Sequence, residues 1–372
     1  MKNVAIIYPY FAHYRGPIIE ELLNDNVNNY YFFAGENTNS AVSSLKLYDF
    51  RQNSNFVRLK NVWFLKYFLL QFGIISELKK RNIETVVLLS DWKYVSYWFL
   101  ILYCKLSKRK CLFWSHGLLN KDRTINNRIK IWFHSLFDGG VVYSERAKNL
   151  MLSVGFVKPI YVINNSLDYY NQQKILSTIS ENHNKVKLPI ENPYIIFSGR
   201  LIAERKLELL FEALNHLEDR KIVINVLIVG TGPHESKLKD FVKKYKFRSR
   251  IVFYGSCYDE KLLGSFYMNA LACVYPGSIG LTVIHSLTYG IPVVTHNNLD
   301  KQKPEIEALI DGKNGFLFDE NNSKDLAAKI EKVFVLSPSD RLSFSQCGMS
   351  VVRSRYTPYF QKTILENIIN DI

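Results

Sequence analysis

The sequence predicts an α/β protein made of two doubly wound parallel-sheet domains, and three observations carry that prediction. Short, continuous, β-branched runs recur along the chain with helical patterns between them, which is how strands buried on both faces of a parallel sheet read. The chain has 372 residues, more than one ordinary core accommodates and suited to two domains of roughly 150 to 200 residues. The strand patterns break once, at a polar stretch from about Ser177 to Asn192, and then restart.

In the first half the strand candidates are VAIIY (4–8), YYFFA (30–34), TVVLLS (85–90), CLFWS (111–115), GGVVY (139–143) and PIYVIN (159–164). In the second half they are YIIFSG (194–199), VINVLIVG (223–230), RIVFYG (250–255), LACVYPG (271–277), IPVVT (291–295) and GFLF (315–318). Each half reads as a Rossmann-like unit. The expected organisation is a first domain over 1–176, a linker over 177–192, a second domain over 193–340, and helices over 341–372. The tail carries Tyr356, Tyr359 and Phe360 and is expected to cross back onto the first domain. The two lobes are expected to face each other across a cleft at the carboxyl ends of both sheets, where open α/β sheets bind ligands.

A hydrophobic content of 47% with 22% charged residues describes a globular chain and excludes disorder. The five cysteines, Cys104, Cys111, Cys257, Cys273 and Cys347, form no CxxC or Cys/His cluster, which points to a reducing cytoplasm and to no metal site. The opening MKNVAIIYPYF has too short an apolar run for a signal peptide. The longest apolar stretch, YVSYWFLILYC (94–104), falls short of the about 20 residues that cross a bilayer and is expected as a buried helix.

Net charge is +14, and residues 1–168 hold 22 Lys and Arg against 12 Asp and Glu. An acidic partner is therefore expected at the first half: nucleic acid, an anionic membrane surface or a phosphorylated substrate. Residues 58–81 mix Trp63, Phe64, Tyr67, Phe68 and Phe72 with six basic residues and are expected as an interfacial helix. No nucleic-acid-binding motif accompanies the charge, so nucleic acid is set aside.

Residues 275–296, YPGSIGLTVIHSLTYGIPVVTH, read as strand end, glycine turn, helix, glycine stop and second strand. Backbone N–H groups at Gly277, Ser278 and Gly280 would face the carboxyl end of the sheet, with a helix start behind them, as at a phosphate site. FSGRLIAERKLELLFEAL puts Arg200 just past a strand and Arg205 and Lys206 at a helix start. Three cations at one phosphate-sized spot suit a diphosphate, and Arg200 has the fork geometry for two oxygens. LIVGTGP, with Gly230, Gly232 and Pro233, lacks the third glycine and the acidic residue of a nicotinamide site and reads as a turn shaping a base pocket.

Together GRLIAERK, LIVGTGP, FYGS, the proline-glycine turn with GLTVIHSLTYGIPVV, and PEIEALIDGKNGFLF resemble the C-terminal half of retaining glycosyltransferases of family 4, which have the GT-B fold. HYRGP, WSHG and VINNSLD extend the likeness into the first half. The resemblance implies that Arg200, with Arg205 or Lys206, holds a donor's diphosphate, and that Gly16 gives it close backbone approach from the other lobe. It implies that His116 contacts the donor sugar. On this reading His116, Arg200 and Lys206 are the catalytic candidates. Gly16, Arg205, Gly230, Gly277, Ser278, Ile279, Gly280, Leu281, Thr282 and His285 are the donor-binding ones. The family's two glutamates fall on Gly277 and His285, so both carboxylates are lost. An imidazole can still bond ribose hydroxyls, and Glu305 is left as a candidate carboxylate.

The implied reaction moves a sugar from a nucleotide-diphosphate sugar to a hydroxyl, with no cofactor and no metal; no Asp-x-Asp triplet occurs. The expected acceptor is a lipid-linked oligosaccharide in bacterial O-antigen, capsule or lipopolysaccharide synthesis, and the expected place is the inner face of the plasma membrane. A catalytically silent sugar-nucleotide-binding subunit and a GT-B sugar-nucleotide epimerase are the other readings.

Overall fold

The computed structural model describes residues 1–36, 46–50, 53–120, 124–181 and 188–372. They form two compact units, one of Met1–Leu167 with Pro358–Ile372 and one of Asp168–Thr357.

The first unit contains β1 (Lys2–Ile7), β2 (Asn28–Ala34), β3 (Phe56–Arg58), β4 (Lys60–Phe64), β5 (Phe68–Phe72), β6 (Thr85–Leu89), β7 (Lys110–Ser115), β8 (Gly139–Val142) and β9 (Ile160–Val162). All but β4 and β5 make one sheet in the order β3-β2-β1-β6-β7-β8-β9, with every pairing parallel. Alternation along β1 feeds two cores, since successive side chains leave opposite faces of a strand. Ala5 and Ile7 join Tyr97, Leu100 and Ile101 of α3 (Val95–Leu106). Val4 and Ile6 join Ile18, Ile19 and Leu22 of α1 (Gly16–Leu23), with Leu365, Ile368 and Ile369 of the last helix, Pro358–Asp371.

The second unit holds β10 (Tyr194–Ser198), β11 (Asn225–Val229), β12 (Ile251–Gly255), β13 (Cys273–Tyr275), β14 (Val293–His296) and β15 (Gly315–Phe318). Their order is β12-β11-β10-β13-β14-β15, all parallel. Strand order reverses between β10 and β13, so the loops leaving their carboxyl ends flank the switch point. The two predicted parallel-sheet domains are thus present.

Three expectations differ from the structure. The units divide at 167/168 and not at 176/177, because Tyr169–Glu181 is one helix belonging to the second unit. Its sparse apolar residues made its C-terminal end read as linker, and residues 182–187 of that linker lie outside the described residues. Of the tail, Pro358–Ile372 joins the first unit, whereas helix Pro338–Arg355 and the buried Tyr356 stay with the second.

Residues 58–81 are not an interfacial helix. They are an antiparallel hairpin of β4 and β5 followed by α2 (Ile74–Lys80). The period of two was hidden because its inward face mixes polar and apolar residues: Asn61 and Gln71 face each other across the hairpin and are both buried, beside the pair of Trp63 and buried Leu69. Gln71 Nε2 donates to Asn61 Oδ1 at 2.9 Å and to the Tyr8 carbonyl at 3.0 Å, and Asn61 Nδ2 donates to the Pro9 carbonyl at 2.7 Å. The expected helix over 94–104 is α3, but only one face of it is buried.

Candidate functional site

In the second unit, three loops interlock at the carboxyl ends of the strands. The Gly199 N–H donates to the Val229 carbonyl at 2.9 Å, Leu201 N–H to Thr231 at 3.0 Å, and Gly230 N–H to Gly255 at 2.7 Å. A Cβ on Gly230 would lie 2.0 Å from the Gly199 carbonyl oxygen, and one on Gly232 would lie 2.1 Å from that of Leu201. These glycines answer to backbone contact between loops, and Gly230 supports the platform.

On that platform the Arg205 guanidinium donates to the Ser278 carbonyl and lies 5.4 Å from the centre of the Tyr275 ring. The loop of Gly277 and Ser278 rests directly on Arg205, for a Cβ on Gly277 would lie 2.1 Å from the Glu204 carbonyl oxygen and 2.8 Å from Arg205 Cα. Among the described residues no carboxylate pairs with Arg205. Its Nε and the Ser278 Oγ are both buried without a hydrogen-bond partner. A half-buried, uncompensated guanidinium beside an orphan hydroxyl is what a bound anion would complete. Arg200, between these loops, is exposed.

The loop is braced from beneath by residues the sequence reading passed over. Gln302 Oε1 accepts the Ile279 N–H at 2.8 Å, while Gln302 Nε2 donates to Thr295 Oγ1 at 3.0 Å and to the His296 carbonyl at 2.9 Å. Ile279 is fully buried with its amide so engaged, and is structural. Gly280 is more open; a Cβ there would stand 4.0 Å from Glu305 Oε2, which puts that buried carboxylate beside the loop. The loop leads through Leu281 into the short helix Thr282–Thr288, where Thr282 Oγ1 donates to the Ser198 carbonyl at 3.3 Å. With seven residues, this helix adds little dipole behind the loop.

Two expected residues point elsewhere. Lys206 takes a left-handed conformation, φ 52°, that separates it from Arg205. Its Nζ lies 2.7 Å from both Glu320 Oε1 and Asn321 Oδ1. The Lys206 hydrogen bond is the main cause holding the Glu320 carboxyl down at about 2. Of the two cations, Arg205 is the one that bonds the glycine loop. His285 sits with Nε2 2.8 Å from Glu260 Oε1, which also takes bonds from Tyr289 OH at 2.9 Å and Gln172 Nε2 at 3.0 Å.

Burial pushes the Glu260 carboxyl up, but the His285 bond and charge, with Gln172 and Tyr289, leave it below its ordinary 4.5. A depressed carboxylate contributes stability above its unfolded value that is lost as pH falls. Melting temperature is expected to drop as pH falls below 4.5, and Glu260→Gln is expected to lower it at pH 7 while flattening that drop; differential scanning calorimetry reads both.

In the first unit, His116 is exposed just past β7, its ring 4.8 Å from that of Tyr143. Gly117, at φ 59°, packs so closely on Ala147, Met151 and Val142 that a Cβ would come within 3.2 Å of them. Gly16 lies not in a loop but at the first position of α1 with helical dihedrals, and a Cβ there would meet the Tyr48 ring at 2.8 Å. Its neighbour Arg15 is the residue that sequence reading missed. The guanidinium donates to Tyr143 OH and to Asn165 Oδ1, and lies 5.6 Å from the Trp114 ring centre. Only the tertiary structure brings Trp114, Tyr143 and Asn165 to it; the signal available in HYRGP was the arginine beside the predicted phosphate-loop glycine.

Residues 178–346 match the family described as glycosyl transferases group 1. Sulfoquinovosyl transferase SQD2 of Arabidopsis thaliana is 28% identical over 145 residues, 38% of this chain and 26% of that protein. Poly(ribitol-phosphate) alpha-N-acetylglucosaminyltransferase of Staphylococcus aureus is 21% identical over 250 residues, 65% of this chain and 49% of that protein. The chain's matches thus span a quarter to a half of these relatives' lengths. Among solved structures, Anabaena HepE in complex with UDP superposes with a TM-score of 0.70 at 13% identity, covering 100% of both chains. The apo lipopolysaccharide outer core galactosyltransferase WaaB gives 0.69 at 15%, again covering 100% of both. Over residues 178–346 the chain is therefore similar to a glycosyl transferases group 1 domain, and its two-unit α/β fold is of the GT-B class.

Proposed function

We propose that this chain is a retaining glycosyltransferase of family 4 that moves a sugar from a nucleoside diphosphate to a hydroxyl of a lipid-linked oligosaccharide, at the cytoplasmic face of a bacterial membrane, in surface-polysaccharide synthesis. The observation that carries the reading is the Arg205 guanidinium, uncompensated among the described residues and seated on the glycine loop at the switch point. A sugar substitution of this kind passes through an oxocarbenium-like transition state in which negative charge grows on the departing diphosphate. Arg205 and the amides of Ser278 and Gly280 would meet that charge from fixed positions, with Arg200 adding its fork from the neighbouring loop. His116 contacts the donor sugar. Lys206 acts indirectly, by anchoring the start of the helix that follows Arg205 to Glu320. The charge is met by these groups and not by a metal ion.

The test is a thermal-shift and turnover screen of UDP-, GDP-, ADP- and CMP-sugars. A ligand selective for the native state raises the melting temperature, and the rise grows with the logarithm of its affinity. One nucleotide class is expected to raise it, and turnover is expected to survive EDTA unchanged. No shift with any donor would sink the reading; a shift without turnover on any acceptor would favour the silent sugar-nucleotide-binding subunit, which the replaced carboxylates at Gly277 and His285 also suit.

A further inference from the structure

We propose that the tip of the β4–β5 hairpin and the outer face of α3 form one docking surface for an anionic lipid bilayer, which deepens and rests on the membrane placement in the reading above. The tip is Leu65, Lys66 and Tyr67. Leu65 and Lys66 both take left-handed backbone conformations, φ 47° and 63°, where glycine or asparagine is the usual choice in a tight turn. The chain keeps a leucine there, and leaves it 76% exposed beside a 59% exposed Tyr67. Neither folding nor solubility accounts for an apolar side chain held outward in a disfavoured conformation; such outliers mark functional positions.

The hairpin is tied to the start of α3. The Gln71 N–H donates to Ser96 Oγ at 3.0 Å, and the Trp63 and Tyr94 rings lie 6.2 Å apart edge to face. From there α3 presents Phe99, Leu102 and Leu106, spaced to share one helix face and exposed by 65%, 56% and 79%. Trp132, 59% exposed, extends this apolar strip, its ring 5.1 Å from that of Trp98. An apolar strip of this kind on a charged protein marks a partner surface.

Charge selects the partner. Residues 58–110, which span the hairpin and α3, carry eleven Lys and Arg against three Asp and Glu. Lys66 is at the tip, Lys93 lies 5.4 Å from the Tyr67 ring centre, and Lys105, Lys108 and Lys110 are exposed at the far end of α3. Aliphatic and aromatic side chains flanked by ammonium groups fit the boundary between acyl chains and acidic headgroups. No helix among the described residues is long and apolar enough to cross the bilayer, so the chain would lie on it.

Co-sedimentation with vesicles tests this. The full chain is expected to bind vesicles of equal parts phosphatidylglycerol and phosphatidylcholine at least about tenfold more tightly than phosphatidylcholine alone. Two double variants, Leu65→Asp with Tyr67→Asp and Phe99→Asp with Leu102→Asp, are each expected to weaken that binding by about tenfold or more. All four side chains are exposed, so unchanged melting temperature and circular dichroism confirm that each variant folds. Failure of the unsubstituted chain to prefer the anionic vesicles, or either variant binding like it, overturns the proposal. The donor thermal shift is read separately: its absence in every protein would defeat the enzymatic reading and leave vesicle binding to decide the surface.

Discussion

Gly277→Ala is expected to lower the melting temperature of the second unit by roughly 6–12 °C, from a cost of about 3 kcal/mol for overpacking and the usual shift of about 2–4 °C per kcal/mol in a unit of this size. The reason is contact, not backbone dihedral. The added methyl would stand 2.1 Å from the Glu204 carbonyl oxygen and 2.8 Å from Arg205 Cα, and neither is a flexible chain end that could swing aside. Gly312→Ala is the control: its φ is 72° but no heavy atom lies within 4 Å of the new Cβ, so only the left-handed cost of about 1 kcal/mol applies. Equal melting of the two variants would refute the packing argument.

For Arg205→Ala the expectation is a loss of kcat/KM with the nucleotide-sugar donor of about 10²–10³-fold, the scale seen when one fixed donor to a developing anion is removed. Arg205→Lys should recover little, because an ammonium cannot both bond the Ser278 carbonyl and present a flat fork to a diphosphate. Lys206→Ala should cost under about tenfold in kcat/KM and act mainly through stability, for its ammonium is already satisfied by Glu320 and Asn321. Steady-state kinetics on the three variants, with melting temperature as a parallel readout, separate these outcomes. Lys206→Ala proving as damaging to turnover as Arg205→Ala would reverse the assignment.

Sequence was a good guide wherever a strand is buried on both faces. Runs such as VAIIY and TVVLLS fall on β1 and β6 because a parallel sheet covered by helices leaves no polar face to interrupt them. The hairpin at 58–81 went unread for the opposite reason, since its buried face carries Asn61 and Gln71 beside Leu69, while Val62, Phe64, Phe68, Leu70 and Phe72 stand on the other face. At the candidate site, the glycine loop and its cations were legible as a local pattern. Which cation meets the loop was not, because the answer depends on Glu320, more than a hundred positions from Lys206. Nor could the Arg15 cluster be read locally; its partners come from β7, from the end of β8 and from the segment after β9.

The helix spanning Pro358–Asp371 makes assembly of the first unit non-vectorial. Leu365, Ile368 and Ile369 close a core whose other members are all made before residue 164, and Gln361 is fully enclosed there, bonded to Asn164 and Ser166. A nascent chain leaving the ribosome must hold this half unfinished while the whole second unit is synthesised, with one face of its sheet covered by α1 but not yet by the last helix, and so open to chaperones. The order of completion is inside out: the unit begun first is sealed last.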